Sequence, residues 1–286
     1  MKKSIVLCIW LFAGQCFGQT WTWGSGVIDI DGNHYLTVIL GSQEWMCYNL
    51  RTTKFANGVS IPNITDNLTW YNLNYGAWCN YGNDNNGQFD YLYGKLYNGY
   101  VVDDKRNVCP TGWHVPHSNE WDTLVNYLGG ALVAGGKMKT TGTYDGSSQD
   151  GVWYGPNFGA TNSSKFFCVP SGARMQNMGE FTGLGFFAHY WSSNTFPTTS
   201  ESAEINLSYL NTIVQTDTSS NRFGYSIRCI KGIEQSSILG LIELNETPPE
   251  LIKIIDLMGR ESENRPNTVL IYIYSDGSTK KVFKVD

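Results

Sequence analysis

The stretch that decides the fold reads Cys109-Pro110-Thr111-Gly112-Trp113-His114-Val115-Pro116, followed by His117-Ser118-Asn119-Glu120-Trp121-Asp122-Thr123-Leu124-Val125-Asn126-Tyr127-Leu128-Gly129-Gly130. Its second half spells out a helix. Trp121, Leu124, Val125 and Leu128 fall at i, i+3, i+4 and i+7, which gathers them into one apolar stripe. Ser118 stands where an N-cap belongs, Glu120 meets the positive end of the helix dipole, and Gly129-Gly130 stops the segment. Such a helix needs a surface on which to bury its stripe. From Thr20 to about Lys231 the neighbouring sequence offers short apolar runs broken by Gly, Asn, Asp and Ser about every eight to twelve residues. That rhythm predicts many short strands joined by long loops. The expected class is therefore α+β, with few helices.

Composition narrows the function. Among 286 residues only 16% are charged, while aromatics reach 14% and glycines number 31. So many rings exclude a disordered chain, because they collapse together. A net charge of -5 argues against nucleic acid as a partner, since phosphate binding needs a basic surface.

The chain opens with Met1-Lys2-Lys3-Ser4 and runs apolar from Ile5 to Gly14, too short to span a bilayer. Small residues at Cys16 and Gly18 then precede Gln19, so residues 1–18 read as a secretory signal peptide. Five cysteines follow: Cys47, Cys79, Cys109, Cys168 and Cys229. In an exported protein they are disulfide candidates, and the odd number leaves at least one outside any internal pair. No CxxC or CxxH spacing suggests zinc. Nine of the ten tryptophans lie after the leader and before residue 232, and none beyond it. The composition shift places a body at 19–232, a linker or first tail strand at 233–248, and a small β-rich tail at 249–286. Within the tail, Leu251–Leu257, Val269–Tyr274 and Lys281–Val285 read as strands, the last two joined by Ser275-Asp276-Gly277-Ser278.

The body resembles the Fibrobacter succinogenes major paralogous domain. The resemblance is carried by Gly41-Ser42-Gln43-Glu44-Trp45-Met46, Asn49-Leu50-Arg51-Thr52-Thr53, Tyr93-Gly94-Lys95-Leu96-Tyr97-Asn98, Cys109–Pro116, Glu120-Trp121, Pro156-Asn157-Phe158-Gly159-Ala160-Thr161, Tyr190-Trp191-Ser192-Ser193 and Gly224-Tyr225-Ser226-Ile227-Arg228-Cys229. That family is similar to C-type-lectin-like and formylglycine-generating-enzyme-like folds. The resemblance implies a small twisted sheet with long surface loops, and it places Cys109 close to Cys229. A bridge between them would close a loop of about 120 residues and stabilise by roughly 5 kcal/mol. A second bridge among Cys47, Cys79 and Cys168 stays open. The tail, from Leu251-Ile252-Lys253-Ile254-Ile255-Asp256-Leu257-Met258-Gly259-Arg260 onward, resembles a type IX secretion (Por) C-terminal sorting domain, which implies an outer-membrane translocon as partner and a secreted or outer-surface location.

Motifs for catalysis are missing: the sequence contains no HExxH, GxSxG or phosphate loop. Cys168 and Cys229 do not match the copper-binding cysteines of formylglycine-generating enzymes. Glu120, Asp122, Glu180, Glu201 and Glu204 supply carboxylates, yet nothing in the sequence pairs two of them as a glycosidase requires. A non-catalytic binding module for glycan or cell-wall polymer is therefore expected, with a structural or protein-adhesion role at the cell surface as the alternative and an enzyme of the formylglycine-generating-like fold more remote. Three loop tryptophans, Trp70, Trp78 and Trp153, are the expected sugar-stacking rings, whereas Trp45, Trp113, Trp121 and Trp191 belong to the framework. Calcium is the one cofactor the sequence admits, with Asp84, Asn86 and Asp90 as oxygen ligands in the loop at 83–90, although the loop fails the EF-hand spacing.

Overall fold

Val38, Leu40 and Trp45 alternate with more exposed neighbours around Gly41-Ser42, and Gly41 adopts φ +62°, the left-handed region that favours glycine. The result is a tight hairpin in which Val38 faces Trp45 and Leu40 faces Gln43. The same logic of short alternating runs and glycine turns builds most of the molecule. The computed structural model describes residues 21–144, 151–196, 198–232, 251–256, 259–263, 265, 267–275 and 279–283. The expected leader at 1–18 and the join at 233–248 lie outside the described residues.

The chain divides into two units, residues 1–232 and 233–286. In order, the first carries β1 (Trp21–Trp23), β2 (Val27–Ile28), β3 (His34–Tyr35), β4 (Thr37–Leu40), β5 (Gln43–Met46), α1 (Asn67–Tyr71), β6 (Trp78–Cys79), α2 (Gly87–Tyr93), β7 (Leu96–Asn98), α3 (Gly99–Val102), β8 (Trp113–His114), α4 (Ser118–Tyr127), α5 (Ala131–Met138), β9 (Ser171–Arg174), β10 (Phe181–Leu184), β11 (Phe187–Phe196), β12 (Glu201–Ser208), β13 (Val214–Ser220), β14 (Gly224–Tyr225) and β15 (Ile230–Lys231). This is a mixed, mostly β unit with few helices, as expected for α+β. The sheets are larger than the single small sheet expected. One has the order β1-β4-β5-β15-β8; the other runs β13-β12-β11-β9-β14-β7-β6, with β10 paired to β9.

Two large apolar cores result. Trp45, Trp121, Phe166 and Tyr190 form the centre of one, where the stripe of α4 meets β5 and β11. The Trp45 and Trp121 rings lie 4.6 Å apart. The other core gathers Met46, Trp113, Trp191, Ile227 and the Cys109–Cys229 disulfide. Cys47, Cys79 and Cys168 are buried free thiols, so no second bridge forms among them. Arg228 is wholly buried, and its guanidinium donates to the carbonyls of Met46, Phe166 and Phe167, to Asn49 Oδ1 and to the Tyr190 hydroxyl.

The entry to α4 differs by one residue from expectation. His117, rather than Ser118, is the N-cap. The Glu120 carboxylate reaches back to accept the His117 N–H at 2.8 Å, while the Ser118 N–H donates to Asn194 Oδ1. Glu120 also accepts from His114 Nε2 at 2.9 Å, and His114 Nδ1 faces the Gly232 carbonyl at 3.0 Å. Both ring nitrogens thus face acceptors, the arrangement of a protonated imidazole. His114 therefore welds α4 to the end of the domain.

The second unit is an antiparallel sheet of β16 (Leu251–Ile255), β17 (Val269–Tyr274) and β18 (Thr279–Phe283) in that order. Its first strand ends earlier than expected because the Asp256 carboxylate turns the chain, accepting from Arg260 N and Nε. The expected turn residues Asp276-Gly277-Ser278 lie outside the described residues.

Two outcomes follow from this framework. Replacing Cys109 and Cys229 together by alanine should lower the unfolding free energy by about 3–5 kcal/mol in urea titrations, reflecting a closed loop of 120 residues. Burial raises the Glu120 carboxyl, but the bonds from His114 and the His117 N–H lower it further, leaving it below its ordinary 4.5. A carboxylate depressed by folding contributes stability that is present above about pH 4.5 and lost as pH falls through the lower folded value. Glu120→Gln should remove that part of the acid dependence and cost about 1–2 kcal/mol at neutral pH, read from denaturation midpoints at several pH values.

Candidate functional site

None of the three tryptophans expected to stack on sugars is available to do so. Trp70 and Trp153 are fully buried and Trp78 is 9% exposed. Each indole N–H is bonded to a backbone carbonyl: Trp70 to Arg222, Trp78 to Ile61 and Trp153 to Cys168. A cation also lies over each ring, Arg174 at 4.4 Å from Trp70, Lys95 at 4.4 Å from Trp78 and Lys139 at 5.4 Å from Trp153. These rings are core pieces, despite the polar sequence around them. Trp45, Trp113, Trp121 and Trp191 are buried too, in keeping with their framework reading.

The oxygen-rich loop at 83–90 builds a helix. Asp84 Oδ1 accepts the Asn86 N–H, Asn86 Oδ1 caps α2 by accepting the Gln88 N–H, and Asp90 pairs with Lys95 Nζ at 2.7 Å. The three side chains expected to ligate calcium are committed to turn, cap and ion pair. Among the described residues no group of three or more His, Cys, Asp or Glu side chains is placed to hold a metal.

What α2 does is present Tyr91, which is 57% exposed. The helix ends at Gly94, φ +71°, where a Cβ would come within 2.6 Å of the Asn49 Cβ. Glycine there lets the helix close on the Asn49-Leu50 backbone, and Asn49 Nδ2 donates to the Tyr93 carbonyl at 2.9 Å. Facing α2 is the hairpin of β2 and β3, in which Val27 faces Tyr35 and Ile28 faces His34. Its tip is locked by Asp29, whose carboxylate accepts from Asp31 N, Asn33 N, Asn33 Nδ2 and the Tyr35 hydroxyl. Between hairpin and helix runs an open groove of about 520 Å³, lined by Ser25, Val27, His34, Leu36, Tyr48 and Tyr91, among others. Tyr48 and Tyr91 lie 6.1 Å apart with their rings tilted by 38°. Burial, with smaller contributions from Tyr91 and Cys47, lifts the Tyr48 phenol above its ordinary value, so it stays a neutral O–H donor. Rings with hydroxyl and imidazole groups along one groove suit a ligand that has both apolar faces and many hydroxyls.

A second groove, of about 510 Å³, is more apolar. Leu68 and Tyr71 of α1 line it with Met178, Asn177 and Glu180. Beneath it Arg174, fully buried, donates to the carbonyls of Ile64, Thr65 and Gly179 and to Asn67 Oδ1. A third, shallower concavity of about 330 Å³ includes Asp122, Glu204 and Asp217. Glu204 there is buried and bonded to His189 Nδ1 at 2.9 Å, and the His189 ring stacks on Tyr225.

The Fibrobacter succinogenes major domain model matches residues 38–231, which run from β4 through β15 and include the helix presenting Tyr91. The chain belongs to the Fibrobacter succinogenes major domain family. No curated protein and no solved structure matches it. In this family member the β2–β3 hairpin precedes the matched stretch, so the first groove has one wall inside the family region and one outside it.

Sequence reading missed Tyr48 and Tyr91, the two rings of the first groove, whereas Tyr71 stood in the loop cluster with Trp70 and is exposed. A signal for Tyr91 was present: Asn86 and Gly94 bracket seven residues as cap and stop. No comparable pattern marks Tyr48, which becomes part of a groove only when the hairpin folds opposite it. The structure separates the two kinds of ring by stability. Trp70→Ala, Trp78→Ala and Trp153→Ala should each cost about 3–5 kcal/mol in chemical denaturation, whereas Tyr91→Ala should cost under about 1 kcal/mol.

Proposed function

We propose that this family member is a non-catalytic binding module on a C-type-lectin-like plan that recognises glycan or cell-wall polymer outside the cell. The carrying observation is the groove between the β2–β3 hairpin and α2, with Tyr91 exposed on one side and His34 on the other. Sugars stack their C–H faces on such rings and hydrogen-bond their hydroxyls to neighbouring polar groups, which is what Tyr48, His34 and Ser25 supply. A rigid hairpin and a capped helix hold these groups ready, which limits the ordering cost of binding. Export, by a leader at 1–18 and a type IX sorting tail at 249–286 read by an outer-membrane translocon, completes the proposal. The disulfide supports an oxidising destination, and the separate three-stranded tail unit supports a module with its own role.

A protein-adhesion role is the second reading, and the groove at α1 favours it. Leu68 and Met178 are each 69% exposed beside Tyr71, an apolar surface of the kind that protein contacts use. A polysaccharide-binding screen of the full chain decides between the two. On the glycan reading, Tyr91→Ala should weaken binding of the retained polysaccharide by at least about tenfold while Leu68→Ala leaves it unchanged. A folded chain that retains no polysaccharide, or a Tyr91→Ala variant that binds as well as the parent, would count against the glycan reading.

A further inference from the structure

Arg51 borders the aromatic wall of the first groove, and among the described residues no carboxylate pairs with it. Its guanidinium lies 4.8 Å from the centre of the Tyr91 ring and 5.2 Å from that of Tyr35, and both rings line the groove. One Nη2 N–H reaches the His34 carbonyl at 3.2 Å, and His34 is also a lining residue. Nε is covered and meets no acceptor. The nearby carboxylates of the hairpin are committed elsewhere. Asp29 is saturated by the four bonds that lock the tip, and Asp31 pairs with Lys54 at 2.8 Å while accepting from Thr53 N and Oγ1. Neither hairpin acid forms an ion pair with the arginine, although the chain as a whole is acidic.

An arginine has five N–H donors and stays charged at all ordinary pH values. Stacking on tyrosine leaves its nitrogens free in the ring plane, and a planar anion of two oxygens meets them in matched geometry. Tyr91 carries Arg51 against one face of its ring and is more than half exposed. The same guanidinium also meets the Tyr35 ring and the His34 carbonyl, so an edge substituent of a sugar held between His34 and Tyr91 is brought toward its Nη donors. If the substituent is anionic, the pair gains a charge-assisted hydrogen bond at a site partly shielded from water, where such bonds are stronger than in bulk. A neutral sugar would leave the charge unanswered.

We infer that the groove selects anionic polysaccharide, with Arg51 as the residue that reads the acidic group of a uronate or sulfated sugar. This inference rests on the glycan reading of the same groove and adds the ligand's charge. Arg51 is placed as a specificity determinant, with Tyr91 providing the stacking surface.

The test uses the full chain and titration calorimetry with four probes: a galacturonate hexasaccharide, its methyl ester, a sulfated galactose hexasaccharide and a neutral galactose hexasaccharide. We expect at least one charged form to bind about tenfold or more tighter than its neutral counterpart, and that preference to shrink as salt rises from about 50 to about 300 mM. Whether the uronate or the sulfate is preferred identifies the group. Arg51→Met should erase the preference, and Arg51→Lys, which keeps the charge without the planar fork, should retain part of it. Unchanged melting temperatures for both variants exclude a folding defect. Equal binding of charged and neutral forms, or an Arg51→Met variant with its preference intact, overturns the inference. If neutral and charged sugars bind alike and Tyr91→Ala abolishes both, the charge inference fails and the glycan reading stands. Binding by none of the four overturns the inference and weighs against the glycan reading as well.

Discussion

A buried positive charge with no negative partner governs this molecule. Among the described residues no carboxylate pairs with Arg228; it is held by the carbonyls of Met46, Phe166 and Phe167, by Asn49 and by the Tyr190 hydroxyl, and it rests over the Phe166 ring at 4.4 Å. Removing a charge from water is costly, and oriented carbonyl dipoles are what offset that cost here. The gain is structural. Chain segments with no regular hydrogen-bond ladder must still satisfy their backbone acceptors, and a guanidinium can serve several at once. Arg174 repeats the device for Ile64, Thr65 and Gly179. Lys139 does so with the carbonyls of Phe158, Ser208 and Asn211, while burial pulls its ammonium down to about 8. A domain rich in loops is thus knitted at three points by cations that act as fixed hubs for carbonyls.

The groove inherits its rigidity from the first of these hubs. Asn49 gives its side-chain oxygen to Arg228 and its Nδ2 to the Tyr93 carbonyl at the end of α2 and to Ser226. One amide therefore couples the buried guanidinium to the helix that presents Tyr91, and Arg51 follows two residues later on the same segment. The opposite wall is fixed independently by Asp29, whose four bonds leave the β2–β3 hairpin little freedom. Two separately stiffened walls make a groove whose shape is set by the fold itself.

The helix α4 was legible to within a residue because its apolar stripe and its stops are local. The strands of the tail were legible for the same reason: Val269–Tyr274 appears where its alternation puts it. The pairing of Cys109 with Cys229 was accessible only through family resemblance, since no local pattern links residues 120 apart. The tryptophans misled because polarity of the surrounding sequence is a poor guide to burial when cations cover the rings. Trp70 sits among Asn, Thr and Tyr, yet Arg174 from a distant strand closes over it. Such covering comes from tertiary contacts, and nothing in residues 63–81 announces it. For the same reason Asp84, Asn86 and Asp90 looked like ion ligands until the helix they cap and pin was seen.

The order of the first sheet has a consequence for how the domain comes into being. Its last strand, β15, is not an edge; it fits between β5 and β8, with Ile230 facing both Trp45 and His114. The sheet consequently lacks its middle until residue 231 is present, and Arg228 and Cys229 arrive with that same segment. A chain emerging from its N-terminus has no complete sheet in which to settle early, because the decisive contacts span most of the sequence and such contacts form slowly. Closure of this sheet therefore needs residues 230–231, at the C-terminal end of the first unit, so its two flanking strands are joined only by a segment that lies far from both in sequence.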